Sequence, residues 1–288
     1  MPELPEVETV VRQLRSQMLG WRIAHVWVAR RDIIHGDPRP LGRILIGRRV
    51  VQLQRQAKRI VMDLEPKRTK ASHPADREKH DPAQLVIHLG MSGRLRLQEK
   101  GEKRERHTHL RIGFDGTTRE LRFRDPRRFG GVWCLTGNPG YRGKVLGSLG
   151  PEPLTLRVQR FQKILQRKRQ IKALLLDQKT IAGLGNIYCD EALFDAHVHP
   201  EAIAMHLDAQ RAGELLSSIK KTLRKAIKHK GSTLTDYRSA DGKPGMFQKM
   251  HRIYGREGLP CRRCGKPITR RMVAGRSTFV CRICQPRG

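Results

Sequence analysis

Residues 137–153, GNPGYRGKVLGSLGPEP, divide the chain into two parts with different hydrophobic periods. Glycine and proline at this density oppose both helix and strand, so the stretch reads as an interdomain linker. Before it, residues 21–135 carry short β-compatible runs: Trp21–Val28, Val50–Leu53, Ile60–Leu64, Leu85–Leu89, Thr108–Phe114, Arg119–Phe123 and Val132–Leu135. Asp115-Gly116 marks a tight hairpin turn between two of them. Short strands at this spacing, joined by polar turns, predict a β-sandwich. Pro66–Pro82 and Gln98–His107 are highly charged and almost devoid of large apolar residues, which makes them exposed insertions.

After the linker the period becomes helical. Phe161, Ile164, Leu165, Ile171, Leu174 and Leu175 fit helices, as do Leu215, Leu216, Ile219, Leu223, Ala226 and Ile227, which end at Gly231. Between these runs, IAGLGNIYCDEALF (181–194) predicts a helix, a glycine turn at Gly183 and Gly185, and a second helix opening near Asn186. Such a turn exposes backbone N–H groups at a helix start, where a phosphate can bind.

The tail is sharper. Cys261 and Cys264, then Cys281 and Cys284, form a C-x2-C pair repeated after 16 residues, the spacing of a structural zinc site. Four thiolates fill a tetrahedral site and leave no open position, so this one zinc is structural rather than catalytic. Between the pairs, MVAGRSTFV reads as a β-hairpin with Gly275-Arg276 near its tip, where an arginine is well placed to grip a phosphate. Cys134 and Cys189 suit buried small hydrophobes.

The net charge is +32, from 59 basic and 27 acidic side chains. Residues 1–155 hold 31 basic against 17 acidic, 156–239 hold 16 against 8, and 240–288 hold 12 against 2. Charge spread along the whole chain suits a long polyanion bound with steep salt dependence, although ribosomal and chromatin packing proteins share the feature. No apolar run is long enough to span a membrane and the N-terminus has no signal-peptide pattern, so a soluble, cytoplasmic protein without a membrane partner is expected.

The chain starts MPELPEVETVVRQL. Val7, Val10, Val11, Leu14 and Met18 recur at helical spacing, and Gly20 ends the run as a cap. An ordinary first helix explains the early proline and carboxylates equally well. Once the initiator methionine is removed, however, Pro2 carries a free secondary amine with Glu3 and Glu6 within a turn of it. At pH 7 roughly one α-amine in ten is unprotonated, against fewer than about one lysine in a thousand. Such an amine is a ready nucleophile, and a nearby carboxylate can move the protons its attack requires.

With these motifs in hand, the chain resembles the formamidopyrimidine-DNA glycosylases over nearly its whole length. PELPEVET stands at the start, HLGMSG at His88–Gly93, DPRRFG at Asp125–Gly130, GLGNIY at Gly183–Tyr188 and DGKPG at Asp241–Gly245, and the four-cysteine finger closes the chain. The resemblance implies an N-terminal helix and β-sandwich (1–136), a linker (137–155), a helix-two-turn-helix domain (156–250) and a β-hairpin zinc finger (251–288). It also implies a base-excision-repair enzyme, a glycosylase and lyase for oxidised purines in double-stranded DNA, expected to act as a monomer.

By resemblance, Pro2 attacks C1′ of the damaged nucleotide, Glu3 shuttles protons, and Lys58 serves the lesion site. Met91, Arg127 and Phe129 fill the void left by the flipped base, with Phe129 as wedge and Arg127 facing the orphaned base. Taken singly, Met91 and Phe129 also suit core packing, and Arg127 and Arg128 a solvated turn. His107, Arg128, Lys172, Asn186 and Arg276 complete the expected DNA contacts, Glu6 orders the N-terminal loop, and Arg238–Phe247 resembles the loop that closes over the base. Met246 departs from the family pattern where an aromatic residue is expected, and Pro66–Pro82 is longer than expected. Two alternatives stay open: an endonuclease VIII-type enzyme for oxidised pyrimidines, and a catalytically silent zinc-finger DNA-binding protein.

Overall fold

The computed structural model describes residues 1–37, 39–65, 82–136 and 145–287. By its internal contacts the chain forms two compact units. The first comprises Met1–Pro2, Glu6–Ser148 and Ser232–Gly245; the second comprises Glu3–Pro5, Leu149–Gly231 and Met246–Gly288. Residues 232–245 thus group with the β-rich half rather than with the helices that flank them in sequence, and the finger groups with the helices.

The first unit is a sandwich of two sheets. One is antiparallel in the order β1 (Ile23–Val28), β7 (Thr108–Phe114), β8 (Arg119–Arg124), β6 (Arg94–Glu99). The other runs β2 (Ile34–Gly36), β9 (Gly131–Thr136), β5 (Ala83–His88), β4 (Arg59–Leu64), β3 (Val50–Gln56). Leu53, Ile60, Met62, Leu85 and Ile87 of the second sheet share one core with Leu95, Leu110, Ile112, Leu121 and Phe123 of the first. Helix α1 (Leu4–Met18) lays Val7, Val10, Val11, Leu14 and Met18 into the same core, and Gly20, at φ +83°, ends it as its sequence predicts.

Several expectations need correction here. Strand β1 begins at Ile23 rather than Trp21, and Arg22 makes only an isolated bridge to Arg49. The short helix α2 (Leu41–Leu45) and strand β2, the latter parallel to β9, carry no sequence signal long enough to read. Strand β6 is absent from the predicted runs, and it takes in Gln98 and Glu99, so the second insertion starts two residues later. That exposed loop is tied down: buried Arg122 donates from Nη2 to the carbonyls of Glu99 (3.0 Å) and Glu102 (2.9 Å). The insertion Pro66–Pro82 lies outside the described residues except for Pro82. So does the linker up to residue 144, and its next two residues, Val145 and Leu146, pack on Val61, Val86 and Leu135.

The second unit holds α3 (Val158–Leu165), α4 (Ile171–Leu176), α5 (Asn186–Asp195) and α6 (Ala209–Lys228) around a core that includes Phe161, Leu175, Tyr188, Leu193 and Ile219. Asp208 caps α6 by accepting from the Arg211 N–H at 2.8 Å, a favoured N-cap arrangement. The helix predicted to lead into Gly183 ends earlier, at Leu176, because the Asp177 carboxylate turns the chain by accepting from the Lys179 N–H at 3.0 Å. The finger supplies the hairpin β10 (Thr269–Val273) and β11 (Arg276–Val280), whose turn is Ala274-Gly275, with φ of +53° and +67°.

Candidate active site, nucleic-acid interface and zinc centre

In the first unit Pro2 is buried, while Met1 ahead of it is 48% exposed. Glu6 is fully enclosed: its carboxylate accepts from the Ser232 N–H at 2.6 Å and its carbonyl from the Tyr237 hydroxyl at 3.2 Å. Gln13 accepts from the Ala240 N–H and Arg94 donates to the Asp236 carbonyl, so residues 232–240 are pinned along α1 and β6. Burial, with the Glu6 carboxylate next in effect, holds the Tyr237 phenol well above its ordinary value and keeps it a hydrogen-bond donor.

The loops carrying HLGMSG and DPRRFG are clasped together. Asp125, with no exposed surface, accepts from the Ser92 hydroxyl at 2.6 Å and the Gly130 N–H at 2.8 Å, and Ser92 in turn accepts from the Arg127 N–H at 3.3 Å. Gly90, at φ +61°, lets the loops touch: a Cβ there would lie 2.4 Å from both the Gly130 nitrogen and the Phe129 carbonyl carbon. On this clasp Phe129 is 58% exposed, the Arg127 guanidinium lies 4.9 Å over its ring, and Met91 is half-buried. Arg128 (φ +53°) reaches Asp32 at 2.8 Å, and exposed His107 (φ +66°) accepts the Asp125 N–H at its carbonyl. Lys58 is buried beside Ala57 (φ +55°) in the turn between β3 and β4. Burial first, then the charges of Arg59 and Lys58, push the His88 imidazole down to about 4.

In the second unit, Glu3 is seated at the start of α5. Its carboxylate accepts from the Ile187 N–H at 3.1 Å, the kind of anion a helix N-terminus favours. The glycine turn exists to admit it: a Cβ on Gly185 would fall 2.2 Å from the Glu3 carboxyl carbon, and the Gly183 carbonyl accepts from the Leu4 N–H. One N–H that the sequence offers to a phosphate is therefore taken by the chain's own carboxylate.

Asn186, Lys172 and the finger hairpin meet at Ser277. The Asn186 amide donates to the Ser277 carbonyl at 2.9 Å, and the Lys172 ammonium donates to the same carbonyl at 3.2 Å and to the Thr278 hydroxyl at 2.7 Å. Lys172 also pairs with Asp190 at 2.6 Å, both side chains without exposed surface. Burial pushes the Asp190 carboxyl up to about 7 although the Lys172 charge and the Phe279 N–H pull it down. Its neighbour Glu191 accepts from the backbone N–H groups of Arg252, Ile253 and Tyr254. Arg276 stands exposed at the head of β11. Asp190 and Glu191 thus seat the finger on α5, a role the sequence reading missed; their adjacency within GNIYCDEALF was the available signal.

The four finger cysteines have ligand atoms within 4.8 Å of one another, with Cys261 and Cys284 sulfurs 3.9 Å apart and those of Cys264 and Cys281 3.4 Å apart. A tetrahedral zinc with Zn–S near 2.3 Å spaces its sulfurs at about 3.8 Å, so the set fits one structural Zn2+. Cys134 and Cys189 are both buried, in agreement with the sequence, and burial pushes the Cys134 thiol up to about 12.

Three family models match the chain: the formamidopyrimidine-DNA glycosylase N-terminal domain over residues 1–132, the H2TH domain of those enzymes over 149–238, and the zinc finger found in FPG and IleRS over 258–287. Formamidopyrimidine-DNA glycosylase from Herpetosiphon aurantiacus is 41% identical, covering 99% of this chain and 100% of that protein, and the Thermus thermophilus enzyme is 40% identical with full coverage of both. The crystal structure of MutM (Fpg) from Thermus thermophilus is similar at TM-score 0.83 and 39% identity, with both chains fully covered. The Lactococcus lactis Fpg is similar in complexes with DNA containing an abasic site and DNA containing an oxidised pyrimidine. Each gives TM-score 0.86 and 32% identity, covering 99% of this chain and 100% of that one.

Proposed function

The chain belongs to the formamidopyrimidine-DNA glycosylase family, and from that membership we propose that it excises 8-oxoguanine and formamidopyrimidines from duplex DNA and cleaves the strand at the resulting site. The observation that carries the reading is full-length similarity to enzymes of that name, together with an N-terminal proline and a four-cysteine finger at opposite ends of the chain.

In this reading Met1 is removed and the Pro2 nitrogen attacks C1′ of the damaged nucleotide. The C1′–N bond to the base breaks and the base leaves with a proton, so that Pro2 and the ring oxygen are both bonded to C1′. Glu3 delivers a proton to the ribose ring oxygen as the C1′–O4′ bond breaks, and an iminium then joins Pro2 to the opened sugar. The iminium acidifies the C2′ hydrogens, so loss of a proton expels the 3′ phosphate, and a further elimination expels the 5′ phosphate. Zinc holds the finger and takes no part in these steps.

The remaining assignments are proposed on the geometry that favours them. Phe129 and Arg127, exposed on a clasped loop, suit a wedge and a finger that replace a flipped base, with half-buried Met91 beside them. Exposed Arg276 suits a phosphate grip, and Asn186 shares its hairpin. Lys58, His107 and Arg128 supply further positive or hydrogen-bonding groups in the first unit. Because Lys172 already has Asp190, Thr278 and Ser277 as partners, its contribution to DNA binding is to hold that hairpin. We further propose that the enzyme is a cytoplasmic monomer, as expected for a repair protein like those of its bacterial relatives.

Borohydride trapping on duplex DNA containing 8-oxoguanine tests the reading. A covalent adduct is expected with the wild type and is lost in Pro2→Gly; binding without any adduct selects the silent DNA-binding alternative. Oxidised pyrimidines are a second substrate class, favoured by the DNA in the Lactococcus lactis complex. The same assay on thymine glycol ranks the two.

A further inference from the structure

The outer face of the sandwich's second sheet carries a guanidinium that has no counter-ion among the described residues. Arg59, His88 and Gly131 are register partners across β4, β5 and β9, and the next such row is Val61, Val86 and Trp133, with His35 of β2 beside Trp133. The Arg59 guanidinium lies 5.8 Å from the centre of the Trp133 ring, which in turn lies 5.0 Å from the His35 ring. Glycine at 131 makes room for this stack, since a Cβ there would sit 2.8 Å from the indole and 3.2 Å from the imidazole of His35.

Arg59 Nη1 is sealed from solvent and, among the described residues, meets no hydrogen-bond acceptor. No carboxylate among them pairs with the side chain either. Its surroundings deepen the mismatch: Lys58 precedes it and neutral His88 stands across the register. Asp125, whose charge acts on His88, already accepts from Ser92 and Gly130. The side chain as a whole is half-buried, and one donor left unpaired in the interior is costly enough to call for an explanation outside the free fold. The indole supplies one. Its ring, 5.8 Å from the guanidinium, attracts the cation and leaves the planar fork of N–H donors to a phosphate.

We propose that Arg59 is a phosphate-binding residue whose guanidinium, beside Trp133, takes a non-bridging oxygen of a DNA backbone phosphodiester. The assignment rests on duplex DNA being the partner and adds a contact beyond those assigned above. It belongs to the class that positions DNA without reading its sequence.

Arg59→Met and the polar variant Arg59→Gln, each titrated with an undamaged duplex and one holding 8-oxoguanine over a range of salt, test it. Both variants are expected to bind the two duplexes more weakly by a common factor, with the slope of log K against log salt reduced by about 0.9. Unliganded Arg59→Met is expected to melt no lower than the wild type, and inorganic phosphate to protect it against heating less than it protects the wild type. An unchanged salt slope in both variants makes Arg59 a structural residue and overturns the proposal. If Arg59→Met does not fold, it is overturned on the melting test, and an unchanged slope in Arg59→Gln completes the rejection. A wild type that never traps DNA, yet loses salt dependence with Arg59, removes the glycosylase reading and leaves this site standing.

Discussion

Gly90 sets where Phe129 stands. Its left-handed backbone and the 2.4 Å approach to the Phe129–Gly130 peptide leave no space for a side chain. Gly90→Ala should therefore part the two loops and cost about 1–3 kcal/mol in urea unfolding. A misplacement near 1 Å costs on the order of a hundredfold in rate, so excision of 8-oxoguanine should fall far more than affinity for undamaged duplex. Equal losses in both measurements would detach Phe129 from base extrusion. His88 gives a second test at this scale. With its pKa down at about 4 against an unfolded value near 6.5, the folded protein holds fewer protons than the unfolded chain between those limits. Stability is then complete above about pH 6.5 and declines as pH falls towards 4. The urea midpoint should follow that slope, and His88→Asn should flatten it; an identical slope in the variant would assign the titration to other groups.

At the scale of elements, the join between α5 and the finger hairpin is electrostatic. Lys172 and Asp190 are both fully buried, so Lys172→Met leaves a carboxylate in the interior without its cation. A loss of about 3–5 kcal/mol is expected, and Lys172→Met combined with Asp190→Leu should recover much of it, because a buried pair replaced by apolar groups is close to neutral. A double-mutant cycle in urea checks this, and additive losses would deny the coupling. No such join was legible in advance, since residues 172, 190 and 278 share no period. Periodicity did reveal α1, most of the sandwich strands and the long α6, whose apolar stripes are local. It passed over α2 and β2, of five and three residues, and the strand β6, and ran the helix before Gly183 too far. Pro2 and the four cysteines could be read from the sequence because their chemistry depends on position or spacing alone. The Ser92–Asp125 clasp and the Arg59–Trp133 contact depend on register between strands far apart in the chain.

For the molecule as a whole, the finger is the part most dependent on a ligand. Its small core, Ile253, Ile268 and three of the cysteines packed with Phe194 of α5, buries too little to fold without metal. Cys264→Ser should lose zinc, measured by metal analysis, and weaken binding to every duplex while the sandwich keeps its unfolding transition. Full affinity in a zinc-free variant would exclude the finger from DNA binding. The excess of basic residues spread along the chain predicts that this affinity falls steeply with salt.

The two interiors are also interleaved along the polypeptide. Tyr237 and Ala240 lie in the core of the sandwich, and Leu4 lies in the core of the helical unit. A gene split after codon 148 would therefore yield two fragments, each lacking a piece of its own interior. Neither could be produced alone as a faithful half, and recovering activity would require both to be refolded together.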